Sequence, residues 1–225
     1  LGALAQAGSY VVDVDSKWHA VGDAEGPHGG SHYRLTSQAG KYRVEVQSHG
    51  SQSQELVCVN DGAHVTTLFP ARKLYSQHAA ESIAASLEAN KMLALSLQGS
   101  ALDLLLQRDV VAAVHSQATG LRDHGQTTLD GKKAHQFEVT WGGAKVELWF
   151  AAEGAPLLLQ FTRTTSTPTA TNQHYQMACT AKYKWQLGAH PAANTFALAL
   201  PTDAHQVNEI YDALSGEAAT TRVNR

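Results

Sequence analysis

The stretch HYQMACTAKYKWQL, residues 174–187, divides into two rows when every second residue is taken. Tyr175, Met177, Cys179, Ala181, Tyr183, Trp185 and Leu187 form an apolar row, and His174, Gln176, Ala178, Thr180, Lys182, Lys184 and Gln186 a nearly all-polar one. Successive side chains of a strand point to opposite faces, so the stretch predicts one half-buried β-strand. At about 3.3 Å per residue it would run roughly 46 Å, where a usual strand has about 5 or 6 residues. So long an apolar row must cover something equally long.

The same alternation recurs along the chain. Tyr10, Val12, Val14, Trp18 and Ala20 share one face of a first long strand, broken mainly by Val11 and Ser16, while Asp13, Asp15, Lys17 and His19 share the other. Tyr33 and Leu35, then Tyr42, Val44 and Val46, flank the turn Gln38-Ala39-Gly40 and predict a hairpin. Two more strands, QELVCVN and AHVTTLF, are joined by Asn60-Asp61-Gly62, a tight-turn signal with positive φ at Gly62. The period then changes. AAESIAASLEANKML places Ile83, Ala84 and Leu87 on one side of a helix, and SALDLLLQRDVVAAVHSQ predicts another that starts at Ser100 and buries Leu102, Leu105, Leu106, Val110 and Val114.

Strands resume after Asp130-Gly131, with Phe137, Val139 and Trp141, then Val146, Leu148 and Phe150 beyond Gly142-Gly143, then Leu157, Leu159 and Phe161. A Thr/Ser-rich loop with Pro168 leads into the long strand, and Phe196–Leu200 reads as a short one. Val207, Ile210, Tyr211 and Leu214 give a C-terminal amphipathic helix over 205–214, followed by a tail over 215–225. Leu1, Leu4 and Ala7 read as the last turns of a further helix; Ala5-Gln6-Ala7 also has the form of the small-residue end of a signal peptide, without its charged and apolar regions before it.

About ten or eleven strands in meandering hairpins, with a helical insert over 79–117, predict a mainly β (α+β) single domain over 1–225. Parallel crossovers would need a helix between successive strands, and a sandwich prefers short strands. What remains is an unclosed antiparallel β-barrel, a half-barrel with helices packed on its concave face. Net charge is −3 with 16% charged residues and no long single-sign run, which argues against nucleic acid, and no run of about 18 apolar residues predicts a membrane span.

The order of several turn and strand-end signals resembles a known family. They are Asn60-Asp61-Gly62 with Val65-Thr66-Thr67-Leu68-Phe69-Pro70 and Leu74-Tyr75; Leu104-Leu105; Asp130-Gly131; Leu148-Trp149-Phe150 with Ala155-Pro156-Leu157; and Asn194-Thr195-Phe196-Ala197-Leu198-Ala199-Leu200-Pro201. Together they look like the predicted periplasmic proteins of the LolA/LolB-like lipoprotein-carrier superfamily. The chain departs from that pattern at its start and in its Gly-rich loop from Ala24 to Gly30. The resemblance implies an exported, periplasmic protein whose half-barrel cavity receives the acyl chain of a lipoprotein, a lipid or another apolar ligand, handled with an envelope protein partner and without a cofactor.

Residues that could line such a cavity are Trp18, Tyr42, Ile83, Leu87, Trp141, Leu148, Phe150, Phe161, Tyr175, Met177, Tyr183 and Trp185. The same row would serve equally as a packed core. No nucleophile elbow, zinc-binding helix motif or phosphate loop is present in the sequence. His28 and His32 have i, i+4 spacing, but Gly26, Pro27, Gly29 and Gly30 oppose the helix that would make them chelate. Cys58 and Cys179 read as two small buried hydrophobes, with a bridge the alternative. A non-catalytic carrier is thus the leading expectation; a regulatory or sensory module that binds a peptide or protein, or an enzyme with an unrecognised site, are the others.

Overall fold

In a computed structural model the chain forms one twelve-stranded sheet. The structure describes residues 7–22, 26–49, 54–97, 100–102, 106, 118–168 and 174–223. In chain order the strands are β1 (Ser9–Ala20), β2 (His28–Gln38), β3 (Lys41–His49), β4 (Gln54–Asn60), β5 (His64–Phe69) and β6 (Leu74–Ala79). Helices α1 (Ile83–Ala89) and α2 (Lys91–Leu97) follow, then β7 (Ala118–Leu129), β8 (Lys132–Trp141), β9 (Ala144–Ala151), β10 (Leu158–Pro168) and β11 (His174–Leu187). The two-residue β12 (His205–Gln206) and α3 (Ile210–Val223) end the described chain.

The strand order is β12-β6-β5-β4-β3-β2-β1-β11-β10-β9-β8-β7. All pairs are antiparallel except β12 with β6, and β12 and β7 remain as edges, so the barrel is unclosed. Strands β2 and β3 meet through Ala39 and Gly40, and β7 and β8 through Asp130 and Gly131, each pair with positive φ at both residues. That is the geometry whose twist matches a right-handed sheet. The Asn60-Asp61-Gly62 turn forms as expected: Gly62 has φ +97°, and Asp61 accepts the amides of Ala63 and His64. Those two bonds, with His64 first, hold the Asp61 carboxyl below the usual carboxylate range.

The inward row buries Val12, Val14, Tyr33, Leu35, Val44, Val46, Leu56 and Cys58 against Leu87, Leu93, Leu97, Leu102 and Ile210 in one main core. The long β11 pairs with β1 along most of its length, Val12 with Trp185, Val14 with Tyr183 and Trp18 with Cys179. Its polar row faces outward, where Lys182 reaches Asp130 and Lys184 reaches Asp15.

Several expectations change. The single helix after β6 is two, because Asn90 leaves the helix (φ −108°, ψ 93°) and its side-chain carbonyl accepts the Leu93 amide as an N-cap. Ser100 accepts the Leu102 amide, and Leu106 donates to the Leu102 carbonyl; Leu105, Val110, Val114 and the N-terminal helix remnant at Leu1 and Leu4 lie outside the described residues. Phe196–Leu200 is not a strand: Phe196 packs with Val57, Val59 and Leu198 while the backbone turns, and Arg43 donates to the Thr195 and Ala197 carbonyls. The helix expected over 205–214 begins at Ile210 and runs through the expected tail to Val223. Its first stretch is extended instead, because the amides of His205 and Val207 donate to the Lys73 and Tyr75 carbonyls beside β6.

Candidate functional site

The concave face changes in bulk from one rung of the sheet to the next. One rung runs Tyr183, Val14, Tyr33, Val46 and Leu56 across β11, β1, β2, β3 and β4, and large side chains fill it. The next runs Ala181, Ser16, Ser31 and Ser48 across β11, β1, β2 and β3, and every member is small. At about 4.8 Å per strand this row of small side chains spans roughly 14 Å. Above it lies a trough of about 700 Å³, within the range of roughly 300–1,000 Å³ of small-molecule sites.

The floor and sides of the trough come from Ser16, Trp18, Ser31, Tyr33, Val46, Ser48, Leu56, Phe69 and Cys179. Its roof comes from Met92, Leu95 and Ser96 of α2 and Tyr211, Leu214 and Ser215 of α3. Lys91 lies 3.9 Å from the Tyr211 ring centre and ties the two roof helices together. Glu55 also borders the trough, but it pairs with Gln47 in the row that alternates outward from Leu56. The serines of the small rung are paired, Ser31 with Ser48 at 3.0 Å and Ser16 with the Cys179 thiol at 3.3 Å. Paired hydroxyls ask little of an occupant and lower the cost of covering them with apolar groups.

Trp18 stands at the mouth, 37% exposed, with Leu95 at 40% on the opposite lip. Its indole lies across Gly29 so closely that a Cβ there would sit 2.7 Å from the ring. Glycine at the start of β2 here serves a close approach, which answers for part of the Gly-rich loop.

Of the cavity residues expected from sequence, the trough includes Trp18. Tyr42, Leu87, Phe161 and Tyr183 are core residues, and Ile83, Trp141, Leu148, Phe150 and Trp185 pack against that core half-buried. Several are tied down: Tyr42 bonds Ser86, Tyr183 donates to the Ser100 carbonyl, and the Trp185 indole donates to the Leu158 carbonyl at 2.7 Å. Met177 is half-buried opposite Ala20, on the rung beyond Trp18 and Cys179. The backbone of Tyr175 pairs with Thr167, and its side chain lies outside the described residues. Sequence reasoning passed over the serines, which interrupt an apolar row, and the roof residues Met92, Leu95 and Leu214, whose place depends on how the helices lie.

The two cysteines are thiols, on β4 and β11, four strand positions apart and so roughly 19 Å. Burial pushes the Cys58 thiol up to about 11, and burial also raises Cys179 against the opposing effects of its Ser16 bond and the Arg163 charge. Neither is a ready nucleophile. His28 bonds the Gly26 carbonyl and His32 bonds Asp15, so the pair does not converge. Among the described residues no group of three or more His, Cys, Asp or Glu is placed to hold a metal. A larger depression of about 1280 Å³ borders Lys17, His28, His32, His49, Lys182 and Lys184, but its Asp15 already takes His32 and Lys184. The hydrogen bond from His32 is the main cause that holds Asp15 below the usual carboxylate range.

The model of a family described as "Predicted periplasmic protein (DUF2092)" matches residues 2–209. No curated protein matches the sequence. Solved structures with related architecture include an uncharacterized conserved protein from Thermus thermophilus, 13% identical, covering 92% of this chain and 94% of that one, with a TM-score of 0.47. Lipoprotein LppX of Mycobacterium tuberculosis is 12% identical over 81% of this chain and 90% of its own, with a TM-score of 0.40. A LolA superfamily protein from Nitrosomonas europaea is 12% identical over 88% and 96%, with a TM-score of 0.33. Likeness this distant lends the chain no function, and the trough must be read on its own geometry.

Proposed function

The chain belongs to this family of predicted periplasmic proteins, and from that premise we propose that it is a non-catalytic binding or carrier protein whose trough holds an acyl chain or similar apolar ligand. The observation that carries the reading is the rung of small side chains beneath two roof helices, which leaves about 700 Å³ beside an otherwise filled core. Phe69, Met92, Leu56 and Leu214 supply apolar walls, and each CH₂ buried against them is worth about 0.8 kcal/mol. Helices α1 and α2, within the 79–117 insert, act with α3 as a lid whose parting admits the ligand; Trp18 is the contact expected first.

The non-catalytic reading rests on the same lining. Among the described residues no histidine borders the trough; its acid follows the outward row, and burial raises the pKa of its thiol. A partner that adds a strand to the sheet is disfavoured, because the edge strand β7 is interrupted by register shifts at Thr119/Arg122 and Asp123/Gly125. Bulges of this kind blunt an edge against pairing.

Native mass spectrometry of the protein purified from a bacterial envelope tests this, and should show an acyl species that organic extraction removes. Leu95→Trp narrows the mouth at an exposed helix position and should lower loading while stability stays within about 0.5 kcal/mol. A chain that is empty from the envelope and binds no acyl probe afterwards would sink the reading.

A further inference from the structure

The rung at the mouth of the trough continues past Trp18 and Cys179 to Arg163 on β10 and then Val146 on β9. Phe161, two residues before Arg163, is a core residue facing inward, so the alternation gives Arg163 the same face. Among the described residues of β1 to β5 and β9 to β11, it is the one Lys or Arg in an inward row. Its charge is felt at the Cys179 thiol, which lines the trough.

Several other cations have carboxylate partners. Arg34 pairs with Asp13, Arg43 with Glu45, Lys73 with Asp203, Lys133 with Glu153 and Lys182 with Asp130. Arg163 is exposed and has no carboxylate partner among the described residues. It stands two strand steps from Trp18, roughly 10 Å, which is the length of a headgroup and its linkage rather than of a chain. A guanidinium offers parallel N–H donors matched to a carboxylate or phosphate.

We propose that Arg163 receives the anionic end of an amphiphile whose hydrocarbon lies over Ser16, Ser31 and Ser48, so that the trough selects ligands with a carboxylate or phosphate monoester at one end. This rests on the apolar-ligand reading above and specifies its ligand class. The rung order separates the two parts of such a molecule: small, paired hydroxyls under the chain, and the cation at the rim, where water still reaches the head.

The test is competition of hexadecanoate, hexadecyl phosphate and uncharged hexadecanol against a neutral fluorescent acyl probe on the full chain at low salt. The two anions should displace the probe about tenfold better than hexadecanol, the scale of one charge-assisted pair. Arg163→Gln should bring all three within about twofold and leave the hexadecanol value and the melting temperature unchanged, because the side chain is exposed. Arg163→Lys, which keeps the charge and loses the fork, should fall between. An anion preference that survives in Arg163→Gln, or its absence from the unaltered chain, overturns the proposal while hexadecanol binding keeps the carrier reading standing. Displacement by inorganic phosphate alone would mark a free-anion site and also overturn it. Failure of every ligand and of the probe itself would remove the carrier reading and the proposal together.

Discussion

At the scale of single residues, the trough is made by what is missing from side chains. The aromatics Tyr42, Phe161 and Tyr183 fill space, whereas Ser16, Ser31 and Ser48 leave it and Gly29 makes room for the Trp18 ring. Gly29→Ala tests this at the mouth: its Cβ would meet the Trp18 ring at 2.7 Å, so the ring must move. Because Trp18 is exposed and has room to swing, the cost should be near the lower end of overpacking, about 1 kcal/mol, with a shift in tryptophan emission and weaker acyl binding. Unchanged emission and binding would show that the indole does not shape the mouth. Trp18 was legible in the sequence because a large apolar side chain in an inward row can be seen. The serines were not, since a hydroxyl among hydrophobes looks like a fault in the pattern until its neighbours across the sheet are known to be small as well.

At the scale of elements, alternation identified β1 to β3 and β8 to β11, where an inward apolar row faces a more polar one, while β4 and β5, buried on both faces, were marked by the Asn60-Asp61-Gly62 turn between them. It did not reveal β7, an edge strand exposed along most of its length, β6, whose inward row of Leu74, Ser76 and His78 is mostly polar, or the two-residue β12. Phe196–Leu200 alternates convincingly, yet its backbone bonds go to turns and to Arg43, and Pro201 ends the run. Asn90 does most to fix the roof: it caps α2 through the Leu93 amide and donates to Thr67 on β5 at 2.7 Å. Asn90→Ala should cost about 1–2 kcal/mol in urea unfolding, from the lost cap and the lost buried bond together. Asn90→Asp keeps the cap oxygen and should cost less; equal costs would mean that the Thr67 bond alone matters.

At the scale of the whole molecule, the first strand of the chain is not an edge but the middle of the sheet, between β2 and β11. Neither run of hairpins has a partner for its inner strand without it, so both halves depend on one seam. Hydrogen exchange should therefore be slowest in β1, β2, β3 and β11 and fastest in β7 and β12, and removal of residues through Ala20 should unfold both halves together. Independent melting of the two halves would contradict this. The seam is also fastened across the chain's length, where the Ser9 hydroxyl donates to the Ala189 carbonyl 180 positions away. Such a chain cannot close while it is still being fed out from its N-terminus. Its first strand must wait, half-paired, until residues near 187 have followed, and loops this long form late. The seam that holds the sheet together is thus the last of its antiparallel pairings to become possible, long after β1 to β6 can pair with their neighbours in sequence.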